Sequence, residues 1–200
     1  SELRVDKRGQ GKELVTNELI KNIVGIKPEA YYNYYALQQA QVRLYRTNLF
    51  SSATVNGVAK DTSGYHVPLK ISTNIERMHE LAPELILNNQ DNTLNVGVGL
   101  SFTKKNFLGE ARKLTLGTSI TAQDITDLLQ NVSVHDTSIL GNADARISLE
   151  QPFLFGRTIN TRIEAYTTLQ KRRAEYNSRV YGSKLTLDFE LPIYTWANSI

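Results

Sequence analysis

The sequence contains no cysteine. This absence excludes disulfide bonds, zinc–thiolate centres and thiol nucleophiles together. The sequence also has no apolar run approaching the roughly 20 residues that a membrane-spanning helix needs, and Ser1 leads directly into charged residues instead of an apolar leader. These features exclude a helical membrane protein. They do not exclude a membrane β-barrel, whose strands need only about 9–11 residues each.

A strong excess of one charge is also absent, because 23 lysines and arginines face 20 aspartates and glutamates. The two tight basic runs, Lys104-Lys105 and 171–173, fall between predicted strands, which favours solvated loops over a nucleic-acid surface. We therefore predict no catalytic, metal or cofactor site and no nucleic-acid partner, and we expect the chain not to be an enzyme. No metal-ligand spacing links the histidines, which are His66, His79 and His135.

The main positive signal is strict alternation of apolar and polar residues between about Thr93 and Ile200. Successive side chains of a strand point to opposite faces, so a period of two predicts strands with one apolar and one charged face. A soluble barrel with an apolar cavity and a membrane barrel with a watery lumen give the same pattern, so alternation leaves the inward face open. In the clearest segment the apolar positions are Leu185, Leu187 and Phe189 and the charged positions are Lys184, Asp188 and Glu190.

The residues before about Glu76 predict a small α+β domain of order β-α-α-β-β. Thr16 or Asn17 can cap a first helix that ends at Gly25. Tyrosines 31, 32, 34 and 35 cluster at the start of the second helix, where core packing is the favoured interpretation and a substrate-binding aromatic patch is the alternative. The other predicted elements are a strand near Leu3–Asp6, a second helix at about Tyr34–Thr47, and strands at Phe50–Val58 and Tyr65–Ile75.

Six further strands are predicted from Met78 onward. Their connections are of two kinds, short turns rich in aromatic residues, glycine and proline, and polar links that include the long stretch Ala122–Asn142. Alternate connections of an antiparallel meander lie at the same end, so this order predicts short turns at one rim and longer loops at the other. The predicted strands are about 79–88, 93–104, 111–121, 143–152, 158–170 and 179–192.

Several short motifs resemble a known family. Asn17-Glu18-Leu19-Ile20 with Lys27-Pro28, followed by Leu44-Tyr45-Arg46-Thr47-Asn48-Leu49-Phe50, resembles corners of a polypeptide-transport-associated (POTRA) domain. Gly97-Val98-Gly99-Leu100 and the turns 105–109 and 150–156 resemble the opening strands and periplasmic turns of the outer-membrane protein assembly factor (BamA/TamA) family, which has a bacterial surface antigen barrel. The resemblance implies an α+β POTRA domain at 1–77, followed by antiparallel β at 78–200 as the first six strands of a transmembrane β-barrel.

The resemblance also implies which face looks inward. In that family the apolar face meets lipid and the polar face lines the lumen, and a lysine or arginine facing the middle of the hydrocarbon would cost about 2–4 kcal/mol. The turns at 105–110, 151–157 and 192–198 would face the periplasm beside the POTRA domain. The lumen-facing residues implied in this way are Arg146, Glu150, Arg162, Glu164, Lys184, Asp188 and Glu190.

Family members have a closed barrel of many more strands and usually several POTRA domains. An open sheet in lipid would leave a row of unpaired backbone groups. We therefore expect the sequence to be an internal piece of a longer chain, with its POTRA domain the last of several. The first barrel strand is the candidate lateral gate, and Pro83 within it cannot donate to a strand ladder. The predicted gate residues are Glu80, Leu81, Glu84, Leu85, Ile86 and Leu87.

The function implied is assembly, insertion or translocation of other polypeptides. The POTRA strand from Ser51 to Val58 would be an exposed edge that binds an extended client by β-augmentation, and the lateral-gate strand would template client strands. Neither step needs a nucleotide or metal cofactor. The predicted client-binding residues are Ser52, Ala53, Thr54, Val55 and Asn56.

The expected partners are unfolded outer-membrane or secreted polypeptides and outer-membrane lipid, with accessory lipoproteins as further candidates. The expected location is the bacterial outer membrane, with the POTRA domain in the periplasm. Two alternatives stay open at this stage. One is a soluble β-barrel that binds an apolar ligand, and the other is a membrane anchor or translocator of a hydrolase fused outside the sequence.

Overall fold

The structure is a computed structural model that describes residues 3–27, 30–58, 67–90, 93–122, 141–154, 159–172 and 176–189. None of the helices in these ranges is long and apolar enough to span a membrane. The elements are β1 (Leu3–Gly9), α1 (Asn17–Val24), α2 (Tyr34–Arg46), β2 (Phe50–Gly57), β3 (Leu69–Ile75), β4 (His79–Gln90), β5 (Thr93–Lys104), β6 (Lys113–Ala122), β7 (Gly141–Gln151), β8 (Ile159–Arg172) and β9 (Tyr176–Phe189).

The chain divides into two compact units. The first, which we call the α+β unit, comprises Ser1–Met78 together with the turn segments Lys105–Arg112 and Gln151–Phe153. The second, which we call the sheet unit, comprises His79–Lys104, Lys113–Glu150 and Leu154–Ile200.

The two helices of the α+β unit begin and end at the residues that local capping chemistry favours. The Thr16 hydroxyl accepts a hydrogen bond from the Leu19 N–H at 3.1 Å, which satisfies one of the free donors at the start of α1. Gly25 ends the helix in the left-handed region, with φ of 68°, and its N–H donates to the Lys21 carbonyl. Asn33 caps α2 in the same manner by accepting from the Tyr35 N–H at 3.0 Å.

The α+β unit contains a three-stranded sheet of order β1-β3-β2, in which β1 is parallel and β2 antiparallel to the central β3. Along β3 the buried residues Leu69, Ile71 and Ile75 alternate with exposed Lys70 and Asn74, which is the signature of a sheet covered on one face. The predicted order β-α-α-β-β is therefore the order observed. The core includes Val15, Ile20, Ile23, Val24, Leu37, Ala40, Leu44, Leu49, Ala53, Val55 and Met78.

Two interpretations of this region are wrong. The tyrosine cluster is not core, because the side chains of Tyr31, Tyr32, Tyr34 and Tyr35 are 99%, 56%, 66% and 44% exposed. Lys105 is not a solvated loop residue either, since its side chain is buried and forms an ion pair with Glu76 within the α+β unit. Aromatic residues suggested a buried environment and lysine an exposed one, and the structure shows the opposite in each case.

The turn Lys105–Arg112 is held in the α+β unit by its own backbone geometry. Ala111 belongs to the buried core, and the Asn106 side chain accepts from the Ala111 N–H and donates to the Leu14 carbonyl at 2.7 Å. Four non-glycine residues of the turn, besides Gly109, have positive φ, so the chain cannot be extended here. This is why the strand predicted from 111 begins at Lys113. The four are Asn106, Leu108, Glu110 and Ala111.

The sheet unit is an antiparallel meander of order β4-β5-β6-β7-β8-β9. The observed strands overlap all six predicted ones and differ by up to three residues at their ends. Within the described residues, no pairing joins β9 back to β4, so the sheet has two edges and no closed barrel is seen. Residues 190–192 of the last predicted strand lie outside the described residues, as do Tyr65 and His66 at the start of the predicted third strand of the α+β unit.

Candidate functional site

The register of the sheet unit sorts its side chains onto two faces. Directly opposed residues of neighbouring antiparallel strands share a face, and the pairs Leu85↔Val98 and Val98↔Ile120 are apolar across three strands. Ile163↔Leu185 continues this face in β8 and β9. The other face carries Lys113↔Glu150 and Glu164↔Lys184, so one side of the sheet is apolar and the other charged.

The apolar face is open to its surroundings along most of the described sheet. Leu85 is 70% exposed, Ile120 is 64% and Leu185 is 62%. Large apolar side chains stand exposed on all six strands, which is far more contiguous apolar surface than a soluble monomer normally presents. The exposed members of this face are Leu81, Leu85, Leu87, Leu94, Val98, Leu100, Leu116, Ile120, Ile147, Ile163, Leu169, Tyr181, Leu185, Leu187 and Phe189.

The charged face is organised around Glu150. Its Oε2 atom accepts from Lys113 Nζ at 2.8 Å and from an Arg162 guanidinium nitrogen at 2.9 Å, so one carboxylate joins β6, β7 and β8. A third ion pair, between Arg146 Nε and Glu164 Oε1 at 3.4 Å, also joins β7 and β8. Ion pairs between charges of opposite sign on neighbouring strands stabilise the sheet on this side.

Of the seven residues predicted to face a lumen, the structure brings six to this charged face. Four of them form two of these ion pairs, while Lys184 stands opposite Glu164 and Asp188 opposite Asn160. Glu190 lies outside the described residues. Beside Arg146, Gly117 leaves a concavity of about 280 Å³ that is lined mainly by polar side chains, including Glu84 and Asp144.

The predicted gate residues lie on β4, which is an edge strand of the sheet unit. The Lys105 N–H donates to the Met78 carbonyl at 2.7 Å, and because bonded pairs alternate in an antiparallel ladder, the even-numbered residues of β4 bond to β5. The backbone groups of Leu81, Pro83 and Leu85 therefore point away from β5. Pro83 therefore removes no hydrogen bond to β5. Because proline has no N–H, one donor is missing from the backbone groups that point away from β5.

The predicted client-binding residues lie on β2, which is an edge of the three-stranded sheet. The Val58 N–H donates to the Pro68 carbonyl at 2.8 Å, so the same alternation directs the backbone groups of Ala53, Val55 and Gly57 away from β3. The side chains of Ser52, Thr54 and Asn56 are exposed on the outer face, while Ala53 and Val55 are buried on the core face.

The two edges of this small sheet differ in charge. β1 has the sequence LRVDKRG and carries four charged residues, whereas β2 has the sequence FSSATVNG and carries none. Charged residues on an edge strand discourage pairing with another chain. The β2 edge therefore lacks the charges that discourage an added strand at β1.

Tyr45 forms a hydrogen bond with the β2 edge, and the sequence did not predict this contact. It lies in the last turn of α2 and its hydroxyl accepts a hydrogen bond from the Ala53 N–H at 3.1 Å. Tyr32 approaches the other end of the row, since a Cβ at Gly57 would lie 2.9 Å from Tyr32 Cε2. Tyr45 is 42% exposed, and its position in α2 does not distinguish it from other half-exposed aromatic residues.

No group of three side chains in the described ranges could hold a metal ion. Two carboxylates of the charged face are instead ion-paired, Glu150 with Lys113 and Arg162 and Glu164 with Arg146.

Comparison with known proteins finds solved structures that are similar to this chain. No family model and no curated protein matches it. A solved structure that is similar is the crystal structure of BamA from Haemophilus ducreyi lacking POTRA domains 1–3, with 11% sequence identity and a TM-score of 0.39. The match covers 98% of this chain and 45% of that one, so the chain spans less than half of the solved protein's length.

The role of Glu150 as the hub of the charged face can be tested by Glu150→Gln. This change keeps the side-chain shape but leaves Lys113 and Arg162 facing each other without a counter-charge. We expect the free energy of unfolding to fall by about 1–2 kcal/mol, because each cross-strand ion pair contributes up to about 1 kcal/mol. The measurement is urea unfolding of the detergent-solubilised chain followed by circular dichroism.

The matched control is Glu110→Gln. Glu110 pairs with Arg112 in a turn and its side chain is 64% exposed, against 13% for Glu150. Exposed pairs contribute little, so the control should change the free energy of unfolding by less than about 0.5 kcal/mol. Equal effects of the two variants would show that the cross-strand pairs add nothing to the sheet.

Proposed function

We propose that the chain belongs to an outer-membrane assembly or translocation factor that binds extended client polypeptides along its free strand edges. The observation that carries the proposal is the two-faced sheet, apolar and exposed on one side and ion-paired on the other, in the same chain as an α+β unit with an uncharged edge strand. The motif resemblance to the BamA/TamA family supports the same assignment. In this proposal the α+β unit is a POTRA domain in the periplasm.

Lipid is the medium that suits the apolar face best. Val98, at the middle of β5, is 62% exposed, and its neighbours across the ladder, Leu85 and Ile120, are equally open. In water this arrangement would cost about 25 cal/mol for each square ångström of apolar surface, whereas hydrocarbon removes that cost. The charged side chains described on this face, Lys104 and Arg179, stand near strand ends, where the headgroup region would lie.

The polar face would then line a water-filled lumen. Arg146, Glu150, Arg162 and Glu164 can keep partial hydration there while pairing with one another. A barrel needs further strands to close, and these would come from the rest of a longer chain. β4 would be the lateral gate, because the gap at Pro83 costs any partner strand one hydrogen bond and makes the seam easier to open.

The β2 edge would receive the client in the periplasm. Main-chain hydrogen bonds to Ala53, Val55 and Gly57 do not depend on the client's side chains, which suits a factor that handles many unfolded outer-membrane or secreted polypeptides. Strand formation and burial of the client supply the driving force, so the proposal includes no cofactor. Accessory lipoproteins are further partners in this proposal.

The lipid-facing assignment is tested by Val98→Arg with Ser119→Arg as the matched control on the polar face. A guanidinium at the middle of the lipid face should destabilise the folded state in a bilayer by about 2–4 kcal/mol, while the lumen-facing control should change its stability by about 1 kcal/mol or less. The measurement is urea-dependent folding into lipid vesicles.

A larger loss of stability in Ser119→Arg than in Val98→Arg would show that the polar face, and not the apolar face, meets lipid. A chain that folded as a monodisperse monomer without detergent or lipid would instead support the soluble β-barrel alternative with an enclosed apolar ligand.

The client-binding assignment is tested by photo-crosslinking from single cysteines, which the cysteine-free sequence allows. Thr54→Cys on β2 and Arg8→Cys on β1 are each labelled with a benzophenone and mixed with an unfolded outer-membrane polypeptide. Thr54 should crosslink the client several-fold more than Arg8, because β2 lacks the charges that protect β1. Equal yields would remove the preference for β2, and the absence of crosslinking at both positions would contradict client binding by this unit.

A further inference from the structure

The hydrogen bond between Ala53 and Tyr45 occupies a backbone donor that an added strand would need. The Ala53 N–H points away from β3 and reaches the Tyr45 hydroxyl at 3.1 Å. The Ala53 residue is itself fully buried, so this donor is not simply solvated. An unpaired amide in such a position would be unfavourable, and the phenol satisfies it within the same unit.

The hydrogen bond between Ala53 and Tyr45 lies at an edge strand, and natural sheets usually protect such edges from pairing with other chains. β1 protects its edge with charges, but β2 has no charged residue to do so. Tyr45 instead covers the Ala53 end of the outward row, and Tyr32 lies against Gly57 at the other end. Val55 lies between them in the row.

We propose that Tyr45 and Tyr32 form a displaceable guard over the β2 edge, which an extended client segment must push aside to pair with the strand. The inference rests on the proposed function, because it describes how the same client-binding edge is kept closed. Pairing would start at Val55 and spread to Ala53 as the Tyr45 hydroxyl leaves. The exchange replaces one neutral hydrogen bond with another, so the guard can discourage weak partners without blocking a long one.

The guard also indicates which clients pair well. Side chains of an added strand alternate between the two sheet faces, and one set would lie on the core side of β2 beside the end of α2. Val42 and Tyr45 are 41% and 42% exposed on that helix, so they offer apolar surface to this set. The occupant that fits is an extended polypeptide segment with apolar residues at every second position.

The test compares Tyr45→Phe with Tyr34→Phe, which removes the same hydroxyl from an exposed residue at the start of the same helix. The probe is a fluorescent decapeptide that alternates valine and threonine, and its affinity for the full chain in detergent is measured by fluorescence anisotropy. Tyr45→Phe should tighten binding about fivefold, as expected for release of one competing hydrogen bond. Tyr34→Phe should leave the affinity unchanged, and N-methylation of alternate peptide bonds should abolish binding.

Two further readouts separate the guard from a structural role. Amide exchange at Ala53 should accelerate in Tyr45→Phe while exchange at the buried Ile71 is unchanged, which shows that the unit stays folded. Tyr32→Ala, which uncovers the Gly57 end without touching Ala53, should also tighten peptide binding.

The outcomes are distinguishable. If the peptide binds the wild-type chain but neither variant tightens it, the guard is wrong and the client-binding edge stands. If Tyr45→Phe weakens binding, Tyr45 is part of the binding surface and the guard is again wrong. If no variant binds the peptide, β2 is not a client-binding edge and the guard fails with it. Binding that appears in Tyr45→Phe alone supports a guard that is fully closed in the wild-type chain.

Discussion

The backbone ladder between antiparallel strands is the constraint on which the rest of this structure depends. Once Leu85 is opposite Val98 and Val98 is opposite Ile120, every second residue of the meander is committed to one face. A shift of a single residue would place Glu150 among the exposed leucines and separate it from Lys113. The apolar and ion-paired faces therefore both result from one register. A shift of one residue would disrupt both faces at once, so both disfavour it.

In the proposed function, the edges of the two sheets are where the chain binds other polypeptides. Edge strands present unpaired donors and acceptors, and this chain treats its edges differently. β1 carries charges, β4 contains Pro83 in the outward row, and β2 has its outward Ala53 N–H bonded to Tyr45. Charges discourage pairing and a proline weakens it. In our proposal the Tyr45 hydrogen bond is reversible, so that a competing strand can replace it.

The sequence predicted the elements well because their signals are local. Capping by Thr16, the stop at Gly25 and the period of two along β5 depend only on neighbours in the chain, and all of them appear in the structure. The same period brought Arg146, Glu150, Arg162 and Glu164 to one face. Which of them pair with each other depends on the stagger between β7 and β8, which no single strand encodes.

The features that sequence reasoning missed all depend on distant parts of the chain. Lys105 is buried because it meets Glu76, and Ala111 adopts a positive φ in a turn that packs into the α+β unit. The tyrosines at the start of α2 look like core residues by type, but the core is already filled by residues such as Leu37 and Leu44. Tyr45 gained its role from the position of Ala53 across the unit, and no spacing along the helix signals that contact.

The most direct test of the lipid-facing sheet is collision accessibility of nitroxide labels placed one at a time along β5, from Leu94 to Phe102, in the chain reconstituted in lipid vesicles. Oxygen concentrates in hydrocarbon and a nickel chelate stays in water. If the apolar face meets lipid, oxygen access should peak at Val96, Val98 and Leu100 and nickel access at Gly97, Gly99 and Ser101, with a period of two. Peaks in the opposite phase, or uniform access to nickel at every position, would contradict the lipid-facing assignment.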